Sequence, residues 1–130
     1  MSPLEGSAPA PAALTADEAS AALARVVASA TFSGSARHRA FLEAVGRHHL
    51  RDPHAEPLKE FALGVDVFGR SPEDFDPQVD NIVRVEARRL RDRLRQYYET
   101  EGHDDPVLID VPRGGYGATF ARRQAAPAGE

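Results

Sequence analysis

The chain has 130 residues, of which 42% are hydrophobic and 28% charged, and its formal net charge is −4. This length and composition fit one domain with its own core and argue against a wholly disordered chain. The chain contains no cysteine, which excludes disulfides, thiolate zinc sites and cysteine nucleophiles.

The two ends of the chain are rich in small residues and proline. We therefore expect disordered tails over residues 1 to 14 and 123 to 130, with a single domain over residues 15 to 122. The first residues contain neither a basic leader nor an apolar run of signal-peptide length. A cytoplasmic protein without a membrane segment is the resulting expectation.

Two helices are predicted in the N-terminal part. Thr15 is placed as the N-cap of the first, and Glu18 follows at the spacing of a capping box. The second covers residues 35 to 50, with Ser35 as N-cap and Pro53 just beyond its end. The residues expected to face inward are Ala19, Leu23, Val26, Val27 and Ala30 in the first helix and Phe41, Leu42, Val45 and His49 in the second.

A third, shorter helix is predicted to begin with Pro57 in its first turn and to end near Gly69. Gly64 lowers the helix propensity of this segment. The positions expected to point inward are Leu58, Phe61, Ala62, Val65 and Phe68.

The longest predicted helix covers residues 77 to 98, with Asp76 as N-cap and Pro77 in the first helical position. Six arginines fall between residues 84 and 98. At 100° per residue, the apolar residues form one stripe, and four of the arginines lie within roughly 60° of one another on a neighbouring face. The stripe consists of Val79, Val83, Ala87, Leu90, Leu94 and Tyr98, and the arginine line consists of Arg84, Arg88, Arg91 and Arg95.

The last predicted element is a β-hairpin over residues 107 to 120. Apolar and polar residues alternate on either side of a turn that contains Pro112, Gly114 and Gly115, and Arg113 lies at its tip. The sequence thus predicts a mainly α fold with a C-terminal β-hairpin. A helix, a turn, a long basic helix and a two-stranded ribbon, in that order, are typical of a winged helix-turn-helix.

Residues 57 to 120 resemble the winged helix-turn-helix effector domains of OmpR/PhoB-type response regulators. The likeness lies in "RRLRDRL" and "VPRGGYGATF", on the recognition helix and the wing of that family. Residues 58 to 98, with "VFGR", "FDPQ" and "IVRVEARRLR", are also similar to bacterial N-terminal regulatory modules. The resemblance implies DNA binding. It does not extend to control by phosphorylation, because no receiver domain with its phosphorylatable aspartate is recognised in the sequence, and the N-terminal half is predicted as two helices where the family has a small sheet. The matching positions are Arg88, Arg89, Leu90, Arg91, Leu94, Val111, Gly115, Tyr116 and Phe120.

The favoured hypothesis is a transcriptional regulator or regulatory module that reads duplex DNA with the helix 77 to 98 and the wing 107 to 120. The alternative is a protein-interaction adaptor or oligomerisation module that uses the same arginine face. Arginines beside Glu86, Asp92 and Glu99 are also typical of a solvated helix surface. The residues expected to bind DNA are Arg84, Arg88, Arg89, Arg91, Arg95 and Arg113.

No enzyme activity, metal site or cofactor is expected. The chain lacks a recognisable catalytic constellation, and its histidines lack the spacing of a metal site joined to a carboxylate. Tyr97 and Tyr98 are expected to pack at the end of the helix rather than to stack on bases. A homodimer formed through the Ala-rich first helix, residues 15 to 30, is a further hypothesis, with packing onto the second helix as its alternative.

Overall fold

The computed structural model describes residues 14–123, so the two predicted tails lie almost wholly outside the described residues. Five helices precede one two-stranded antiparallel sheet in this part of the chain. The prediction of a mainly helical fold with a small C-terminal sheet is confirmed. The helices are α1 (Ala16–Val27), α2 (Ala30–Ser33), α3 (Ala36–Arg51), α4 (Glu60–Asp66) and α5 (Ile82–Glu99), and the strands are β1 (Val107–Asp110) and β2 (Thr119–Arg122).

Between residues 14 and 123, no helix combines the length and the apolar character that crossing a membrane requires.

Side-chain caps begin the N-terminal helices as predicted. The Thr15 hydroxyl accepts from the Glu18 N–H at 3.0 Å, and the Glu18 carboxylate accepts from the Thr15 N–H at 2.9 Å. The Ser35 hydroxyl caps α3. The prediction missed α2, which is capped by Ser29. Because this cap starts a new helix, Ala30 is exposed instead of facing inward.

The predicted start of α4 is wrong. Leu58 is extended and forms a β-bridge with Tyr116 of the hairpin loop, and the helix begins only at Glu60. The helix therefore presents Leu63 to the core, whereas Phe61, predicted to point inward, is 44% exposed. Phe61 instead lies against the ring of Phe75, with the ring centroids 5.7 Å apart.

The predicted start of α5 is also wrong. Asp76 accepts a hydrogen bond from the N–H two residues further on, which favours a turn over a helix start. The helix begins one turn later, where the Asp80 carboxylate accepts from the Ile82 N–H at 3.1 Å and pairs with Arg70 at 2.7 Å. Val79 lies in the turn segment and is 82% exposed, although the prediction placed it in the apolar stripe.

The rest of the apolar stripe of α5 forms the centre of the core. Val83, Ala87, Leu90 and Leu94 are buried, as predicted. At the C-terminal end Tyr97 is the fully packed tyrosine and Tyr98 is half-buried. The largest fully buried side chains around this stripe are Phe32, Phe41, Leu42, Leu63, Val26, Val45 and Val111.

The hairpin differs from the predicted tight turn. The register pairs Val107 with Arg122 and Asp110 with Thr119, so residues 111 to 118 form a loop of eight residues. Val111 and Ala118, at the base of the loop, are buried in the core. Its tip contains Gly114 with φ +95°, a conformation that other residues rarely adopt.

The carboxylate of Asp105 joins three elements at the base of the hairpin. It accepts two hydrogen bonds from Arg25 of α1, at 2.8 and 3.2 Å, and one from the Tyr97 hydroxyl of α5, at 2.8 Å. It also accepts from the Val107 N–H at the start of β1, at 3.1 Å. Burial acts to raise the pKa of Asp105, but these donors outweigh it and lower the pKa overall.

Leu90 tests the orientation of α5. Leu90→Ala removes a fully buried side chain and is expected to lower the free energy of unfolding by about 2–5 kcal/mol. The matched control is Val79→Ala, which removes an exposed side chain and should change stability by less than about 0.5 kcal/mol. Urea denaturation followed by circular dichroism measures both. Equal stability of the two variants would show that the helix is rotated differently.

Asp105 tests how the hairpin is attached. Asp105→Asn should lower the free energy of unfolding at pH 7 by about 1–3 kcal/mol, because it replaces the charged acceptor of these hydrogen bonds with a neutral amide. The folded-state pKa lies below that of an unfolded aspartate, about 3.9. The carboxylate's contribution is therefore fully present above that value and is lost as pH falls through the folded-state pKa. The stability difference between wild type and variant should thus shrink in acid. A difference that is absent at pH 7, or that grows in acid, contradicts this account.

Candidate nucleic-acid interface

A groove of about 970 Å³ lies between α5 and the hairpin. Its helical wall carries the four members of the predicted arginine line, and its other wall is formed by residues 108 to 116. We call it the arginine groove. The structure brings together five of the six arginines predicted to bind DNA, namely Arg84, Arg88, Arg91, Arg95 and Arg113.

Three of these arginines have no carboxylate partner among residues 14–123. Arg88 and Arg113 are exposed and form neither a hydrogen bond nor an ion pair with another described residue. Arg91 is half-buried, and it donates to backbone carbonyls of the hairpin instead of to an acid. None of these three positive charges is therefore paired with a carboxylate of residues 14–123.

The other two arginines of the groove are exposed and form ion pairs, Arg95 with an exposed carboxylate and Arg84 with a half-buried one. Arg84 lies 2.7 Å from the Glu60 carboxylate, and Arg95 lies 3.0 Å from that of Asp92. Exposed pairs of this kind contribute about 0–1 kcal/mol, because water and salt screen them. An incoming anion can therefore replace the exposed Asp92 carboxylate beside Arg95 at low cost.

Acidic residues are also present at the groove. Asp92, Glu99 and Asp110 line it, against five arginines. Asp92 is engaged by Arg95, and Asp110 accepts from the Val111 N–H at 2.9 Å. The groove is thus locally positive on a chain whose formal net charge is −4.

Two tyrosines line the groove without adding negative charge. The Tyr98 hydroxyl accepts from the Ile109 N–H at 2.8 Å. Burial, assisted by the charge of Asp105, raises the pKa of Tyr98 to about 12. Burial and the charge of Glu60 likewise raise the pKa of Tyr116. Both side chains are neutral at physiological pH, so they provide aromatic surface between the arginines.

Arg89, the sixth predicted residue, lies outside the groove on the other flank of α5. It pairs with Glu86 at 3.2 Å, and Arg37 of α3 approaches the same carboxylate oxygen at 3.3 Å. The interpretation of Glu86 as part of a solvated face is wrong, because Glu86 is only 4% exposed. Burial acts to raise the pKa of Glu86, but His38 and the two arginines outweigh it and lower the pKa overall.

His38 completes this buried network. Its Nε2 lies 2.8 Å from the Glu86 carboxylate, and its Nδ1 accepts from Arg93 Nε at 2.8 Å. Because arginine can only donate, a neutral His38 ring carries its proton on Nε2 and donates it to Glu86. Arg93 also donates to the Thr31 carbonyl. Sequence reasoning missed this network, since no local pattern links His38 to a residue 48 positions away.

The histidines do not form a metal site in the described part of the chain. No group of three or more His, Cys, Asp or Glu residues there is placed to hold a metal ion. His48 bonds to the Glu56 carbonyl at 2.7 Å, and His49 stacks on Phe120 with centroids 5.4 Å apart.

The apolar face of α1, considered above as a dimer surface, packs within the chain. Ala19, Ala22, Leu23 and Val26 are buried, and α1 contacts α3, α2 and β1. Gly46 of α3 allows the close approach, because a Cβ there would lie 2.9 Å from the Leu23 side chain. The homodimer stays a prediction. The apolar face of α1 is buried within the chain whether or not a dimer forms.

Comparisons with protein-family models, with curated proteins and with solved structures find no match to this chain. The geometry and charge of the arginine groove are therefore the features of this chain that bear on its function.

Proposed function

We propose that this chain is a DNA-binding regulatory module that holds duplex DNA at the arginine groove. In this proposal α5 is the recognition helix, and the hairpin 107 to 120, which includes the loop 111 to 118, is the wing of a winged helix-turn-helix. The observation that carries the proposal is a set of three arginines on the two walls of one groove that have no carboxylate partner among residues 14–123: Arg88, Arg91 and Arg113.

The dimensions of α5 fit duplex DNA. Its 18 residues give a length of about 27 Å, and the arginine line extends over about 16 Å of it. A helix of this kind, with a diameter of about 10–12 Å, enters a major groove about 12 Å wide. Arg88 and Arg95 project from the exposed face, where phosphates or base edges would lie.

The order and packing of the elements support the winged arrangement. α4 packs against α5, and residues 67 to 81 connect the two helices. The hairpin packs beside α5, and the Leu58–Tyr116 bridge ties its loop to the segment that precedes α4. The helix pair and the hairpin are thereby held as one unit, so that α5 and the wing can approach one duplex together.

Arg88 tests the phosphate contacts. We expect wild type to bind a duplex with an affinity that falls steeply with salt, because about four to six phosphate contacts release counterions. Arg88→Ala should weaken binding by about 1–3 kcal/mol and lower the log-log salt slope by about one unit. Fluorescence anisotropy with a labelled duplex at several salt concentrations measures both quantities.

The matched control for Arg88 is Arg47→Ala. Arg47 lies outside the groove, on the exposed face of α3, where it pairs with Glu43. Arg47→Ala removes one positive charge, as Arg88→Ala does. It should leave the salt slope unaltered. Equal losses in the two variants would mean that only net charge matters. A wild-type chain that ignores duplex DNA but binds an acidic protein would support the adaptor hypothesis instead.

Arg113 tests the wing. Because Arg113 is exposed and has no partner within residues 14–123, Arg113→Ala should leave the melting temperature unchanged. If Arg113 touches phosphate, affinity for different sequences should fall alike and the salt slope should decrease by about one unit. A loss restricted to A/T-rich flanks indicates insertion into a narrow minor groove. Unchanged affinity and slope would make the hairpin a structural element only.

A further inference from the structure

We infer that Arg91 acts on DNA mainly as a positioning residue, by fixing the wing loop that carries Arg113. The inference rests on the proposed function and changes the role of one arginine of the predicted line.

The hydrogen bonds of Arg91 define this role. Its Nε donates to the Val111 carbonyl, and its Nη2 donates to the Pro112 carbonyl at 3.3 Å. These carbonyls belong to the two residues immediately before Arg113. The guanidinium of Arg91 on α5 thus binds the backbone of the two residues that precede Arg113.

The rest of the loop leaves little freedom at Arg113 once Arg91 is bound. Val111 is fully buried at the near end, and Tyr116 is bridged to Leu58 at the far end. The pyrrolidine ring of Pro112 also restricts its own φ. Only residues 112 to 115 form the tip, and the bond from Arg91 Nε to the Val111 carbonyl holds the residue just before that tip to α5.

Fixing the tip matters for binding because ordering a flexible contact residue on association costs free energy. With Arg91 in place, Arg113 is presented before DNA arrives. Without it, the Val111 and Pro112 carbonyls lose their donor and Arg113 is carried by a looser loop. Removing Arg91 should therefore cancel much of what Arg113 contributes.

Two substitutions separate position from charge. In Arg91→Gln, the amide nitrogen stands where Arg91 Nε stands, so the bond to the Val111 carbonyl can be kept while the charge is lost. In Arg91→Lys, a methylene stands at that place, so the charge is kept while the Nε bond is lost. If Arg91 positions the loop, the lysine variant should lose more DNA affinity than the glutamine variant. The reverse order would overturn the inference.

A double-mutant cycle with Arg113 gives the second readout. If the two residues acted independently, the fold loss of DNA affinity in the double variant would equal the product of the two single losses to within about twofold. We expect instead that Arg91→Ala weakens binding in the wild-type background and has little further effect in Arg113→Ala. If the two affinity losses multiply, Arg91 contributes to DNA binding independently of Arg113, and the inference is wrong.

Amide hydrogen exchange at Gly114 and Gly115 in the DNA-free protein gives the third readout. Exchange should be faster in Arg91→Lys and Arg91→Ala than in wild type, and close to wild type in Arg91→Gln. Equal exchange in all four proteins overturns the positioning role. If wild type does not bind a duplex at low salt, the proposed function fails, and the exchange data still report whether Arg91 fixes the loop.

Discussion

The attachment of the hairpin to α5 is the constraint on which the arrangement of the molecule depends. The buried carboxylate of Asp105 holds the hairpin at its base, because this carboxylate accepts hydrogen bonds from α1, α5 and β1. Further out, the Tyr98 hydroxyl accepts from the Ile109 N–H, and Arg91 donates to the Val111 carbonyl. Because α5 supplies a contact at each of these levels, one helix determines where the hairpin stands beside it.

The same helix divides its six arginines between two tasks. On one flank, Arg89 and Arg93 join the buried network of Glu86 and His38, which ties α5 to α3. On the other flank, the arginine line faces the groove. The positive charge concentrated in this acidic chain thus supplies donors to the buried Glu86 carboxylate on one flank and, in the proposed function, binds an anionic partner on the other.

The local elements of the fold could be predicted from sequence. The capping box at Thr15, the cap at Ser35 and the stripe through Leu90 follow from short-range patterns, and all are present. The start of α5 could not be predicted, because Asp76 and Asp80 offer competing turns within a few residues of each other. The arginine line was placed on one face correctly from helical periodicity alone.

The parts that sequence could not supply depend on contacts between distant positions. Asp105 and Arg25 are 80 residues apart, and nothing in the local pattern around either indicates the pair. The long hairpin loop likewise depends on the Leu58–Tyr116 bridge and on the burial of Val111, both of which are tertiary. Arg91 therefore looked like an ordinary member of an exposed row, although it is bound to the hairpin.

The most direct test of the central claim is an NMR titration of the isotopically labelled chain with a short duplex at low salt. The account predicts that chemical-shift changes concentrate on the exposed face of α5, around Arg88 and Arg95, and on residues 112 to 116 of the wing. The amides of α1, which contributes no residue to the lining of the groove, should remain unchanged. Shifts confined to α1 and α3, or no shifts at saturating duplex, would contradict the assignment of the arginine groove to DNA.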